Sequence, residues 1–283
     1  MIIWLASYPK SGNTYVRAFL SAYYFSESGE FDFSQIAKID QFPHEKFFKE
    51  KVNNISEASK QWVPIQREIN KDKKIRFFKT HSFLGNYQGN QFTSPETTLG
   101  AIYIVRDPRN VLSSLKNHYS FDDNMALKMI KDKTRSLMSN NGSHASLTYI
   151  SSWSENYLSW LRNNQFRRLF IKYEDLITNK YETFRDIIVF TNTLMNKVEG
   201  VNKSKLQKAI ETTNFDVLKK KEVSETFDGT ESSFKNWRKF HSENKNLFFN
   251  LGPDNNWKKI LKTDISKEIE ISFEKEMVEL GYL

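Results

Sequence analysis

Three short stretches of this 283-residue chain carry residue types suited to holding an anion and moving a proton. The first is Tyr8-Pro9-Lys10-Ser11-Gly12-Asn13-Thr14. Gly12 lets the backbone approach a ligand closely, Ser11, Asn13 and Thr14 bring side-chain donors, and Lys10 brings a movable positive charge. When a helix follows, such a loop turns its unpaired N–H groups and the helix dipole toward an anion, which makes it a phosphate cradle. An ordinary strand-to-helix turn with a Ser cap is the plainer alternative for the loop in isolation. The second stretch runs from Arg106 to Ser114. Eight residues are about two helical turns, so both ends can reach one phosphate. An Arg-Asp pair at a strand end also serves as a structural ion pair. The third is Lys79-Thr80-His81. Among the histidines at 44, 81, 118, 144 and 241, only His81 follows a lysine and a hydroxyl in this way. A histidine near its neutral pKa suits a general base for an acceptor hydroxyl.

Regular elements must bring these stretches together. Residues 2–6 form an apolar run that stops at Ser7-Tyr8-Pro9, and from Asn13 onward Tyr15, Val16, Phe19 and Leu20 recur at helical spacing. That pattern predicts strand, loop and helix. Residues 101–105 predict a second strand, after which Asp107 caps and Pro108 opens a helix carrying Val111, Leu112 and Leu115. Weaker strands are expected at 75–78, ahead of Lys79, and at 169–172, ahead of Tyr173. Helical patterns cover 145–164, 180–195, 202–211 and 264–280. Strands alternating with helices predict an α/β fold with a central parallel sheet flanked by helices. No internal repeat or Pro/Gly linker divides the chain, so residues 1–283 read as a single domain. The polar stretch 222–256 is the expected mobile loop over a ligand.

Composition narrows the function classes. With 39% hydrophobic and 27% charged residues, the chain has the profile of a folded soluble protein. It contains no cysteine, which excludes disulfides, thiolate nucleophiles and sulfur-ligated metal sites. The apolar run at the N-terminus has no basic region before it and is too short for a signal peptide or a membrane span, so a cytoplasmic location is expected. A net charge of +8 points to an anionic partner: nucleic acid, a membrane surface or a phosphorylated small molecule. The lysines are scattered among acidic neighbours and no Arg-rich arm is present. A solvated basic surface therefore explains much of the charge.

The segment YPKSGNTY, from Tyr8 to Tyr15, resembles TYPKSGTTW, the 5′-phosphosulfate loop of the sulfotransferases that use 3′-phosphoadenosine 5′-phosphosulfate (PAPS). The resemblance implies that Lys10, Ser11, Gly12, Asn13 and Thr14 bind the donor, with Asn13 standing where the family has threonine and Tyr15 where a tryptophan stacks on adenine. Arg106 and Ser114 resemble the pair that binds the 3′-phosphate. Lys79-Thr80-His81 resembles the start of KTHLP, which makes His81 the base and Lys79 a donor contact; Ser82 and Phe83 replace Leu-Pro. Tyr173-Glu174-Asp175 resembles YED, placing Tyr173 near the adenine. Thr213-Asn214-Phe215 resembles T-S-F, whose threonine and phenylalanine hold the base from the other face, so that Tyr15 and Phe215 sandwich it.

Residues 249–258 resemble RKGxxGDWK, the loop that closes over the 3′-phosphate. Gly252, Trp257 and Lys258 match, whereas Asn250 and Leu251 replace the Arg-Lys pair. Two cations fewer beside a dianion imply weaker donor binding, with Arg109, Lys235, Arg238 or Lys239 as replacements. The family implies a sulfotransferase moving the sulfuryl group of PAPS to a hydroxyl or amine of a small acceptor, with PAP (adenosine 3′,5′-bisphosphate) as product, on a P-loop-like nucleotide-binding fold. No metal site, nucleic-acid partner or membrane span is expected, and a homodimer stays open. The aromatic residues between 19 and 48 are candidates to line an acceptor pocket. Two alternatives are a nucleotide-kinase-like enzyme, against which the missing Walker A spacing counts, and a noncatalytic basic anion-binding protein.

Overall fold

A computed structural model describes residues 1–137, 147–224 and 247–283. The apolar runs become the strands of one five-stranded sheet: β1 (Ile2–Ser7), β2 (Asp40–Gln41), β3 (Arg76–Thr80), β6 (Thr98–Val105) and β9 (Arg167–Lys172). Their order is β2-β3-β1-β6-β9 and every pairing is parallel. Trp4 lies between Phe78 and Ala101, and Ile104 lies opposite Ile171. Two short antiparallel ribbons stand apart, β4 (Asn86–Tyr87) with β5 (Asn90–Gln91) and β7 (Ser136–Leu137) with β8 (Thr148–Tyr149).

The helices are α1 (Asn13–Phe25), α2 (Ile55–Ile69), α3 (Pro108–Tyr119), α4 (Asp123–Lys131), α5 (Trp153–Leu161), α6 (Asp175–Thr178), α7 (Lys180–Leu194), α8 (Lys203–Thr212), α9 (Phe215–Ser224), α10 (Trp257–Ile260), α11 (Thr263–Ser272) and α12 (Glu274–Glu279). They cover both faces of the sheet, because successive strand residues point to opposite sides. Ile3, Leu5, Ile102 and Ile104 pack with Val16, Phe19, Ile187 and Leu206 in one core. Ile2, Trp4, Ala101 and Tyr103 pack with Trp62, Leu112, Trp153 and Ile269 in the other. The central parallel sheet flanked by helices is the one expected.

Several boundaries differ for local reasons. The helix expected over 145–164 begins only at Trp153, because Ser152 caps it by accepting from the Glu155 N–H, while Thr148–Tyr149 pairs as a strand. The helix expected over 264–280 breaks at Phe273, whose buried ring packs 5.2 Å from Trp153. The phenylalanines proposed for an acceptor pocket are largely core. Phe19 lies 4.0 Å from Phe184, and Phe31 and Phe42 are fully buried. The final residues dock beside the segments that follow β6 and β9: Arg109 donates to the Tyr282 carbonyl at 2.7 Å, and the Tyr282 hydroxyl donates to Glu174 at 2.9 Å. Burial holds the Glu174 carboxyl above its ordinary range. Part of the loop expected over 222–256 lies outside the described residues.

Candidate active site

Four adjacent parallel strands end next to four of the expected residues. β1 ends three residues before Lys10, β3 directly before His81, β6 directly before Arg106 and β9 directly before Tyr173. In an open parallel sheet, ligands bind beyond the carboxyl ends of the strands, where the strand order reverses. That point is β1, with β3 on one side and β6 on the other.

The loop after β1 is shaped by two left-handed residues, Lys10 at φ 66° and Gly12 at φ 98°. Glycine is required at 12 twice over, since a Cβ there would sit 2.5 Å from the Tyr173 ring. Helix α1 starts at the next residue, and its first N–H groups, at Asn13 and Thr14, have no intrahelical acceptor. Ser11 is fully buried and its hydroxyl has no partner, an orphaned donor of the kind an anion would satisfy. Thr14 is half-buried. Asn13 differs from expectation: its amide turns inward and donates to Leu5 O at 3.0 Å and Ser7 Oγ at 3.2 Å, so its side-chain N–H groups are taken up within the protein. Lys10 Nζ lies 4.3 Å over the Phe248 ring. Burial, with Arg106 adding to it, pushes its pKa down to about 8.

Arg106 is 5% exposed and ties the site together. It donates to Lys10 O at 3.1 Å, to Ser114 Oγ at 3.4 Å and to Gly252 O at 3.3 Å, and its guanidinium lies 4.0 Å over the Tyr173 ring. Its Nε is buried without a partner. Ser114 is also approached by Asn255, whose amide donates to Ser114 Oγ and Asn110 O at 2.9 Å each, while Ser113 Oγ donates to Asn255 Oδ1 at 2.7 Å. Gly252 has φ 52°, and a Cβ on it would meet the Phe215 ring. One cluster thus joins Lys10, Gly12, Arg106, Ser114, Tyr173, Phe215 and Gly252.

His81 is half-buried, and its Nδ1 lies 2.8 Å from the Ser7 carbonyl. A carbonyl can only accept, so Nδ1 carries the proton and Nε2 keeps the lone pair. Burial first, then the charges of Lys79 and Lys10, push its pKa down to about 3. Lys79 Nζ donates to Gln41 Oε1 at 3.3 Å on the neighbouring strand.

The remaining expected residues are placed differently. Tyr15 is buried, its ring edge-on to Phe184 at 5.3 Å and its hydroxyl unpartnered. It belongs to the core cluster at whose margin Phe215 packs. Thr213 is fully buried and its hydroxyl donates to Ala209 O at 2.7 Å, closing the end of α8. Arg109 is no replacement cation: it pairs with Asp107 at 2.7 Å and Glu270 at 2.6 Å and stacks 4.0 Å over Trp257. Lys235, Arg238 and Lys239 lie outside the described residues. Asn255 lies inside the loop expected at 249–258 and Phe248 inside the stretch 222–256, but neither carries a local signal for its own role, because their contacts, to Ser114 and Lys10, are over a hundred positions away. Among the described residues no three His, Cys, Asp or Glu side chains gather as a metal site, and no helix is long and apolar enough to cross a membrane.

Fold and strand-end cluster together give an α/β protein with buried, unpartnered donors gathered at the carboxyl ends of its parallel strands. The sequence profile of the sulfotransferase domain matches residues 2–281, and the chain belongs to that family. Comparison with the curated proteins finds no match. Among solved structures, mouse sulfotransferase SULT7A1 complexed with PAP is similar at 20% identity and a TM-score of 0.59, covering 98% of this chain and 84% of that one. Retinol dehydratase complexed with androsterone and inactive cofactor PAP is similar at 15% identity and a TM-score of 0.58, covering 98% and 80%. A complex of retinol dehydratase with retinol and PAP scores 0.59 at 15% identity, covering 98% and 81%. At these identities the likeness speaks for the fold.

Proposed function

We propose that the chain, acting as one domain, transfers the sulfuryl group of PAPS to a hydroxyl or amine of a small acceptor, with His81 as general base. The observation that carries this reading is the 2.8 Å contact from His81 Nδ1 to the Ser7 carbonyl, which fixes the tautomer and fastens the base to the strand that feeds the anion loop. When bound, PAPS supplies a sulfuryl group on a phosphate leaving group open to in-line displacement. The fit of this nucleotide rests on the orphaned Ser11 hydroxyl and Arg106 Nε, both buried and both donors.

The chain's own residues divide the work. His81 Nε2 takes the acceptor's proton; in the free protein burial and two lysines keep the ring neutral and hold it below the neutral-range value expected of a general base, and the negative charge of a bound donor would raise it toward that range. Lys10 and the N–H groups opening α1 hold the 5′-phosphate side and stabilise negative charge developing on the leaving oxygen. Lys79 orients the sulfuryl end. Arg106 and Ser114 hold the 3′-phosphate, with Gly252 giving backbone access, and Tyr173 and Phe215 offer aromatic surface to the adenine while Tyr15, buried against Phe184, backs them from the core.

Transfer of labelled sulfate from PAPS to a panel of phenols, alcohols and amines tests the reading, alongside calorimetric titration with PAP. His81→Gln should lower turnover by roughly 10²- to 10⁴-fold, the usual range for a general base, while PAP affinity stays near that of the parent. Loss of PAP binding in that variant would remove His81 from the role of base.

A further inference from the structure

We propose that Lys219 is a donor-recognition residue, forming with Arg106 a two-cation clamp on the donor's 3′-phosphate in place of the Arg-Lys pair absent at Asn250 and Leu251. The inference rests on the PAPS reading above. Its starting point is a single three-residue segment that carries two cations on its carbonyls. Lys219 Nζ donates to Asn250 O at 2.8 Å, and Arg106 donates to Gly252 O at 3.3 Å. The Cα atoms of Asn250 and Gly252 are separated by no more than about 7.6 Å, two trans peptide steps, so the two cations stand on neighbouring parts of one loop.

Helix α9 is held against that loop at two points on one face. Phe215, four residues before Lys219, packs so closely on Gly252 that a Cβ there would meet its ring. Lys219 Nζ itself lies 6.0 Å from the centre of the same ring. The i, i+4 spacing puts both side chains on one side of α9. Lys219 is half-buried, so part of its water shell is already removed.

A backbone carbonyl is a neutral acceptor, whereas a phosphate is a charged one, and charge-assisted hydrogen bonds are roughly twice as strong. Both cations therefore gain by turning from the loop carbonyls to a phosphate arriving beside Arg106 and Ser114. Neighbouring described charges are otherwise engaged. Lys10 lies on Phe248, Arg109 pairs with Asp107 and Glu270, and the Glu222 carboxylate accepts from the N–H groups of Phe248 and Phe249. The plainer role for Lys219 is to pin the loop through Asn250.

Two substitutions separate the roles: Lys219→Gln keeps a donor for the Asn250 carbonyl and loses the charge, and Lys219→Arg keeps the charge. Calorimetric titration of the full chain with PAP and with AMP, which lacks the 3′-phosphate, is the test, with thermal unfolding confirming that each variant folds. The expected result is that Lys219→Gln weakens PAP by about tenfold or more while AMP is unchanged, and that Lys219→Arg stays within about threefold of the parent. A Lys219→Gln protein that binds PAP like the parent, or loses PAP and AMP equally, overturns the clamp while leaving the PAPS reading in place. A parent protein that shows no preference for PAP over AMP overturns the PAPS reading, and the clamp with it.

Discussion

Gly12 and Tyr173 meet across the crevice so closely that a single added methyl group on Gly12 would stand 2.5 Å from the Tyr173 ring. The contact joins the end of β9 to the loop after β1, and the left-handed φ of 98° adds a second demand for glycine at the same position. Gly12→Ala should therefore lower stability by about 1–3 kcal/mol, the usual cost of such backbone strain, and weaken PAP binding at the same time. Urea unfolding and PAP titration check this. A variant as stable and as tightly binding as the parent would show that the loop accommodates the methyl group.

Lys10 gives the anion loop a pH limit. With its pKa pushed down to about 8 by burial and by Arg106, the free lysine loses its proton as pH rises through that value. A neutral amine attracts phosphate less, so PAP affinity should be steady between about pH 7, above the ligand's own phosphate ionisation, and pH 8, and fall above it, approaching tenfold per pH unit. Lys10→Arg should carry the plateau to higher pH. An affinity flat to pH 10 in the parent would exclude Lys10 from contact with the anion.

His81 should leave a signature in stability. Its pKa in the folded chain is about 3, below the ordinary histidine value of about 6.5, so the unfolded chain binds the extra proton first. Stability is complete above pH 6.5 and declines as pH falls toward 3, by up to about 1.4 kcal/mol per pH unit from this group. Carboxylates contribute below pH 5, so the comparison belongs between pH 5 and 7. There the urea midpoint of His81→Gln should vary less with pH than that of the parent; identical slopes would contradict the depressed value.

Asn255 should matter as much as the better-advertised residues. Its amide fixes Ser114 and the Asn110 carbonyl at once. Asn255→Asp removes the amide donor and places a negative charge beside the proposed phosphate position. PAP affinity should fall by about tenfold or more, with AMP affinity little changed. Equal effects on both ligands would place Asn255 in the general architecture of the loop.

The parts of this molecule that were legible in its sequence are those in which chemistry and local structure coincide. Residues 2–6 and 101–105 read as strands because apolar runs stop at turn residues, and the polar groups that follow each run are then delivered to one edge by the parallel arrangement. The edge strand β2, two polar residues at Asp40–Gln41, carries no such signal. What escaped reading depends on partners far along the chain. Asn13 reads as a phosphate donor, yet its amide bonds backward to Leu5 and Ser7. Thr213 reads as a ligand contact, yet its hydroxyl closes α8. Phe19 and Phe42 read as pocket lining, yet they fill opposite cores. A donor's identity is local; the direction in which it points is set by packing.

The orientation of the His81 ring through the Ser7 carbonyl has a bearing on how this protein could be altered. Every amino acid carries that carbonyl, so the grip on the imidazole is independent of which side chain occupies position 7. The Ser7 hydroxyl is a neighbour of the ring at 3.3 Å, not its anchor. Position 7 can therefore be varied among small residues in a directed-evolution library without loosening the base's anchor, but Ser7 is buried and its Oγ accepts from the Asn13 amide, so each replacement also changes how the start of α1 is fastened.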